Sequence, residues 1–263
     1  MAFRGFNTTP ATYELVCPQT KKRFEIRSLT VAEEERLKGS FITPEKITDH
    51  LNRCIYEAIV SKPDDIVDFN SFLSKCSIKT REVLLYSIQI FTYDEDRNYD
   101  VRCSSCRKNY SVTIKSSSTF NFIPYPGDDI LTKRVEVNLP KTPGVKAIIK
   151  QPTLMDEWKG VKELTSTPGF TVENVTETLI IEKFVQEIED SKNQIIYDER
   201  GDIIDAFMAL PARDRRVIYK RWHEEFGQYG IELKMKSFCT NCGEEEIVDI
   251  DLVDQFFRSI FGS

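Results

Sequence analysis

Two short stretches of this chain carry residues that could do chemistry: VRCSSCRKNY, Val101 to Tyr110, and SFCTNCGEEE, Ser237 to Glu246. Each holds a Cys-x-x-Cys pair. A turn with that spacing aims two sulfurs at one metal ion and leaves backbone N–H groups free to stabilise the charge on the thiolates. Zinc takes four ligands in a tetrahedron, and Cys103, Cys106, Cys239 and Cys242 supply four without a histidine. A site closed by four sulfurs keeps no position for water, so the metal implied is structural zinc and not a hydrolytic centre. Gly243, directly after the second pair, suits the tight backbone of such a knuckle.

The separation of the pairs is the difficulty. Cys106 and Cys239 lie half the chain apart, well beyond the spacing of an ordinary zinc ribbon. Two other readings compete. A redox Cys-x-x-Cys usually opens a helix, whose N-terminus lowers the thiol pKa; here both pairs sit between strand-like segments. Alternatively both pairs are reduced and empty. The segment CPQTKK resembles a third knuckle, with Thr20 where a second cysteine would stand. Cys17, Cys54 and Cys76 read as small apolar filler.

Other chemistry is sparse. The chain has only two histidines, His50 and His223, each in a helical pattern among charged neighbours. There is no nucleophile elbow and no glycine-rich phosphate loop. The adjacent Asp128 and Asp129 read as loop charges. The expectation is a protein that is not an enzyme. The net charge of −6 gives no general attraction to phosphate, and Arg213, Arg215 and Arg216 read as a solvated helix face. A nucleic-acid ribbon is the alternative, since Arg102, Arg107 and Lys108 flank the first pair; the acids Glu244 to Glu246, Asp249 and Asp251 around the second argue against a continuous basic face. MAFRGFNTTP has no apolar signal region, and VLLYSIQIF is too short to span a bilayer. A soluble protein made in a reducing cytoplasm is expected, and an odd count of seven cysteines fits no disulfide framework.

The elements that must position the cysteines occur twice. Alternating apolar residues predict a hairpin at Tyr13–Ile26 and another at Val135–Ile149, around Pro143-Gly144. Thr30 with Glu33, and Thr153 with Asp156, predict capped short helices, the first stopping at Gly39. Longer amphipathic helices are predicted over PEKITDHLNRCIYEAIV and over VENVTETLIIEKFVQEI, the latter with Val175, Leu179, Ile180, Phe184 and Ile188 on one stripe. Then SFLSKCSIKTREVLLYSIQIFTY sets beside AFMALPARDRRVIYKRWHEEFGQY, pairing Phe72 with Phe207, Leu73 with Met208, Arg81 with Arg216 and Val83 with Ile218. Each half ends in a strand leading to its Cys-x-x-Cys. The reading is an α+β fold of two similar units related by internal duplication, each a β-hairpin, helices and a knuckle hairpin. The first unit covers 1–120, a linker 121–134, and the second unit 135–263 with a C-terminal helix over DLVDQFFRSIF. If the units pack about a pseudo-twofold axis, the two turns meet on it and one zinc joins the halves.

The Thr-capped VAEEERL helix, the ITDHLNRCIYEAI and REVLLYSIQIFTY helices and the YDVRCSSCRKNYSVTI knuckle together resemble the baseplate hub assembly proteins of T-even-type contractile-tail bacteriophages. The resemblance covers Tyr13 to Ile123 best, and the second half enters through the repeat and SFCTNCGEEEIVDI. It implies a non-enzymatic assembly factor or chaperone, or a minor hub component. It also implies contacts with baseplate hub and tape-measure proteins, in the host cytoplasm or the virion tail.

Overall fold

A computed structural model of the chain describes residues 11–38, 44–93, 96–114, 120–165 and 184–250. The mixed α+β architecture is built on two hairpins, each followed by helices. β1 (Thr12–Val16) and β2 (Arg23–Arg27) pair with Leu15 opposite Phe24 and Tyr13 opposite Ile26. Alternation buries Leu15, Phe24 and Ile26 on one face. Four helices follow: α1 (Val31–Lys38), α2 (Pro44–Ala58), α3 (Phe69–Lys75) and α4 (Ile78–Tyr93). α2 ends before the apolar run does. Ile59 and Val60, both β-branched, open strand β3 (Ile59–Ser61), which completes a sheet of order β1-β2-β3. Val83, Leu84, Leu85 and Ile88 on α4 are all buried, so this helix is the centre of the first core.

The second hairpin is β7 (Arg134–Asn138) and β8 (Val145–Lys150), in a four-stranded sheet with β9 (Val185–Asp190) and β10 (Ile195–Tyr197), of order β10-β9-β8-β7. Helix α5 (Leu154–Thr165) follows the hairpin; α6 (Arg200–Ala209) and α7 (Ala212–Trp222) follow the sheet, and a π-turn over His223–Gly227 extends α7. The amphipathic helix expected up to Ile188 is corrected here. Val185 to Asp190 is a strand paired with β8, because Val185 and Ile188 find a sheet neighbour in Ile149 and Ala147. Most of that expected helix, the stop at Gly39 and the C-terminal helix lie outside the described residues. The expected non-regular linker holds a short strand, β6 (Phe122–Ile123), paired with β11 (Gly230–Ile231), and Phe120 packs edge-on to Tyr86.

Corresponding places in the two halves carry corresponding contacts. Thr30 and Glu33 form the expected capping box, and Arg27 donates to both oxygens of Glu33. Thr153 and Asp156 form the same box, and Lys150 takes the place of Arg27 at 2.9 Å. Each hairpin turn rests on the start of a helix. In the first, Cys17 Sγ lies 3.4 Å from Thr80 Oγ1 and Ser77 Oγ donates to Gln19 Oε1 at 2.6 Å. In the second, the Lys141 N–H and the Thr142 hydroxyl donate to the fully buried Asp214 carboxylate at 2.9 and 2.7 Å.

The halves are exchanged at the core. Leu154 of α5 and Ile231, Val248 and Ile250 belong to the apolar cluster of the first half. The N–H of Leu154 donates to the Cys76 carbonyl at 2.9 Å, and Glu157 accepts from both Nη atoms of the buried Arg81. A second cluster, around Ile149, Phe207, Ile218 and Phe226, is made from the second half together with Ile130 of the 121–134 segment. No helix among the described residues is long and apolar enough to cross a membrane.

Candidate metal centre

The first Cys-x-x-Cys joins β4 (Arg97–Arg102) to β5 (Asn109–Ile114), and the second joins β12 (Lys234–Phe238) to β13 (Glu245–Asp249). Both are two-stranded ribbons with a tight turn at the tip. In the first turn the Cys103 N–H donates to Lys108 O and the Arg107 N–H to Cys103 O, both at 3.0 Å. In the second, the Cys239 N–H donates to Glu244 O at 2.9 Å and the Gly243 N–H to Cys239 O at 2.8 Å. The turn at 17–22 has the same pair of bonds, Cys17 N–H to Lys22 O and Lys21 N–H to Cys17 O, both 2.8 Å. The fifth residue of all three is left-handed: Lys21 at φ 55°, Arg107 at 61° and Gly243 at 78°. The resemblance of CPQTKK to a knuckle is therefore literal in its backbone.

The two cysteine turns meet tip to tip. Cys103 Sγ is 3.7 Å from Cys242 Sγ, and Cys106 Sγ is 3.7 Å from Cys239 Sγ. All four sulfurs lie within 4.8 Å of one another, close enough to hold one metal ion. The fit can be tested against zinc. A Zn–S bond of about 2.3 Å in a regular tetrahedron sets sulfurs about 3.8 Å apart, which the two cross-ribbon distances match. Cys103 and Cys239 are buried, Cys106 is half-buried and Cys242 is exposed. Around the sulfurs, Glu246 of the second ribbon accepts from the Ser104 N–H and from the Tyr110 hydroxyl of the first, the latter at 3.0 Å. Asn241 donates to the Asn109 carbonyl at 3.1 Å. Four thiols so close cannot all ionise without a cation. Burial of Cys239 opposes its ionisation, but the N–H groups of Asn241 and Cys242 outweigh it and hold the thiol down at about 6. At Cys103 the Cys106 N–H favours the thiolate, yet burial and the neighbouring sulfurs carry it up to about 12.

A model of the family described as T4 bacteriophage base plate protein matches residues 10–258. The chain belongs to this family. No curated protein and no solved structure matches it. In this baseplate protein all four sequence-predicted ligands come together, while the other candidate residues stand elsewhere. His50 lines a cleft of about 200 Å³ between α1 and α2 with Arg36, Arg53 and Cys54. Burial pushes the Cys54 thiol up to about 12, which makes it apolar filler and a poor nucleophile. His223 opens the π-turn after α7. The Arg102 side chain folds back onto the Arg107 carbonyl at 3.1 Å, and Lys236 pairs with Glu245 on the second ribbon. Nothing in its local sequence marks Glu246 as the strap between ribbons, since it stands beside the exposed acids Glu244 and Glu245. Arg81 was visible as a repeated position, but its partner Glu157 was not.

Proposed function

We propose that this baseplate protein is a non-enzymatic component of the tail hub, an assembly factor or minor subunit that works through contacts with hub and tape-measure proteins. The family match over nearly the whole chain carries this reading. The expected sites of action are the host cytoplasm during assembly and the virion tail. Cys103, Cys106, Cys239 and Cys242 bind one structural zinc, which supplies cross-linking and no open coordination position. The two halves descend from one duplicated unit, with 1–120 and 135–263 as the copies and 121–134 between them. The repeated caps and the repeated turn-on-helix contacts support that origin, with α5 and the second ribbon exchanged onto the first core.

Co-expression with the hub and tape-measure proteins of the same phage tests the role. A complex that survives size exclusion is the expected outcome. Absence of any complex, together with normal tails assembled without this protein, sinks the reading. Native mass spectrometry of the untagged protein tests the metal. One zinc per chain is expected, and a folded protein with no metal and with Cys103, Cys106, Cys239 and Cys242 freely reactive would refute it.

A further inference from the structure

The helix pairs α3–α4 and α6–α7 put matching positions to different uses. On α4, Ile78, Arg81, Leu84 and Leu85 share one stripe at helical spacing. The N-terminus of α5 lies against α3 and α4: Leu154 is buried in the same cluster as Leu73, Leu84 and Leu85, and Glu157 grips Arg81 with both carboxylate oxygens. The register between the pairs is fixed by Phe72 with Phe207 and Val83 with Ile218, all buried. In that register the stripe on α7 is Arg213, Arg216, Tyr219 and Lys220, and all four are exposed. Tyr219 is 50% exposed, where Leu84 is buried. Met208 of α6 is 55% exposed, where Leu73 is buried. Arg213 and Arg216 form no ion pair with a described residue, while Lys220 and Arg221 further along are tied to Glu224 and Glu225.

We propose that the α6–α7 face is a docking site for an acidic amphipathic helix of another baseplate polypeptide, which lies there as α5 lies on α3–α4. The source of the partner rests on the baseplate role above; its chemistry rests on the stripe and on the duplication proposed above, which makes α3–α4 the occupied copy. Two guanidiniums with no ion pair among the described residues, on a chain of net charge −6, call for carboxylates, which arginine binds with two parallel bonds. Tyr219 and Met208 supply apolar anchors beside them, of the residue types that dominate protein interfaces. The occupied copy of the site specifies the ligand: an aliphatic residue at a helix start and a glutamate three positions later, as Leu154 and Glu157 stand in α5.

The probe is a fluorescent peptide with the sequence of residues 152–165, titrated into the full-length protein and read by anisotropy. Binding is expected. It should weaken at least tenfold in the Arg213→Glu/Arg216→Glu protein, and by a similar factor for a peptide with Glu157→Gln. The double variant should keep its metal content and melting temperature, because both side chains are exposed. Absence of binding, or equal binding by the variant, overturns the proposal. So does a DNA duplex that binds the wild type and not the variant, which would assign the stripe to nucleic acid. Protection of Arg213 and Arg216 from phenylglyoxal in the isolated protein also overturns it, since a segment of the chain itself would then cover the face. Failure of hub proteins to co-purify would remove the baseplate role and leave the peptide result standing.

Discussion

The turn at 17–22 and the two cysteine turns share one backbone and solve different problems. All three close with the same two hydrogen bonds and the same left-handed fifth residue. The first is buried from Cys17 to Thr20 and is held by its own half: Cys17 meets Thr80 and Gln19 meets Ser77. The other two project from two-stranded ribbons, and a two-stranded ribbon alone is marginal in water. The turn itself therefore needs no metal. A metal held by the four sulfurs would instead secure the meeting of two ribbons from distant parts of the chain.

The largest break in that comparison comes from the sulfurs. Cys103→Ser or Cys239→Ser should abolish metal binding and lower the melting temperature by more than about 10 °C, given about 10 kcal/mol of apparent binding energy for structural zinc and 2–4 °C per kcal/mol at this size. Calorimetry with and without a chelator measures it, and an unchanged melting temperature would mean that the ribbons hold by packing. Next is the metal-free joint. Arg81→Ala removes both hydrogen bonds that the guanidinium gives the largely buried Glu157 carboxylate and should cost about 1.5–3 kcal/mol in urea unfolding; a loss below about 0.5 kcal/mol would show that the Arg81–Glu157 pair is not what holds α5 on the first core.

The first cap gives a pH-dependent term. Burial works against the Glu33 carboxylate, but Arg27 and Thr30 overcome it and hold its pKa at about 2. Its stabilising contribution is complete above the unfolded value of about 4.3 and is lost as pH falls toward 2. Glu33→Gln should flatten the stability curve in that window, as followed by urea midpoints. Cys17→Ala, at a fully buried thiol, should cost only about 1 kcal/mol, the scale of one deleted buried group, and leave the metal in place. A loss of metal from this variant would make 17–22 part of the site. Smallest are the fifth residues. Lys21→Gly and Arg107→Gly relieve a positive φ, whereas Gly243→Ala imposes one with nothing within 4 Å to clash. Each should shift stability by about 0.5–1 kcal/mol, the first two upward and the last downward.

Much of this was legible because it is local. Cys-x-x-Cys spacing, Thr30 with Glu33, and strands alternating toward Cys103 all act over a few residues. The four cysteines that cluster at the candidate site stand out by type and spacing. Arg81–Glu157 and the Glu246 strap were not legible, because each joins residues far apart in sequence that look like any other surface ions. The strand at Val185–Asp190 was missed for a similar reason. Val185 and Ile188 stand three apart, a helical spacing, and only the irregular register against β8 at Ile148/Ile149 puts both on one face of the sheet.

The distance between the two cysteine turns also sets a timetable for synthesis. The ribosome must add 133 residues to go from Cys106 to Cys239, roughly 7–27 s of elongation. Through that interval the first ribbon has emerged without its partner. The first core also waits, for Leu154 and then for Ile231, Val248 and Ile250, which arrive last. A nascent chain of this protein is thus committed to carrying two unpartnered thiols and an unsealed apolar surface until the second ribbon has been synthesised. Its yield should then depend on the metal and chaperones present at translation as much as on the stability of the finished molecule.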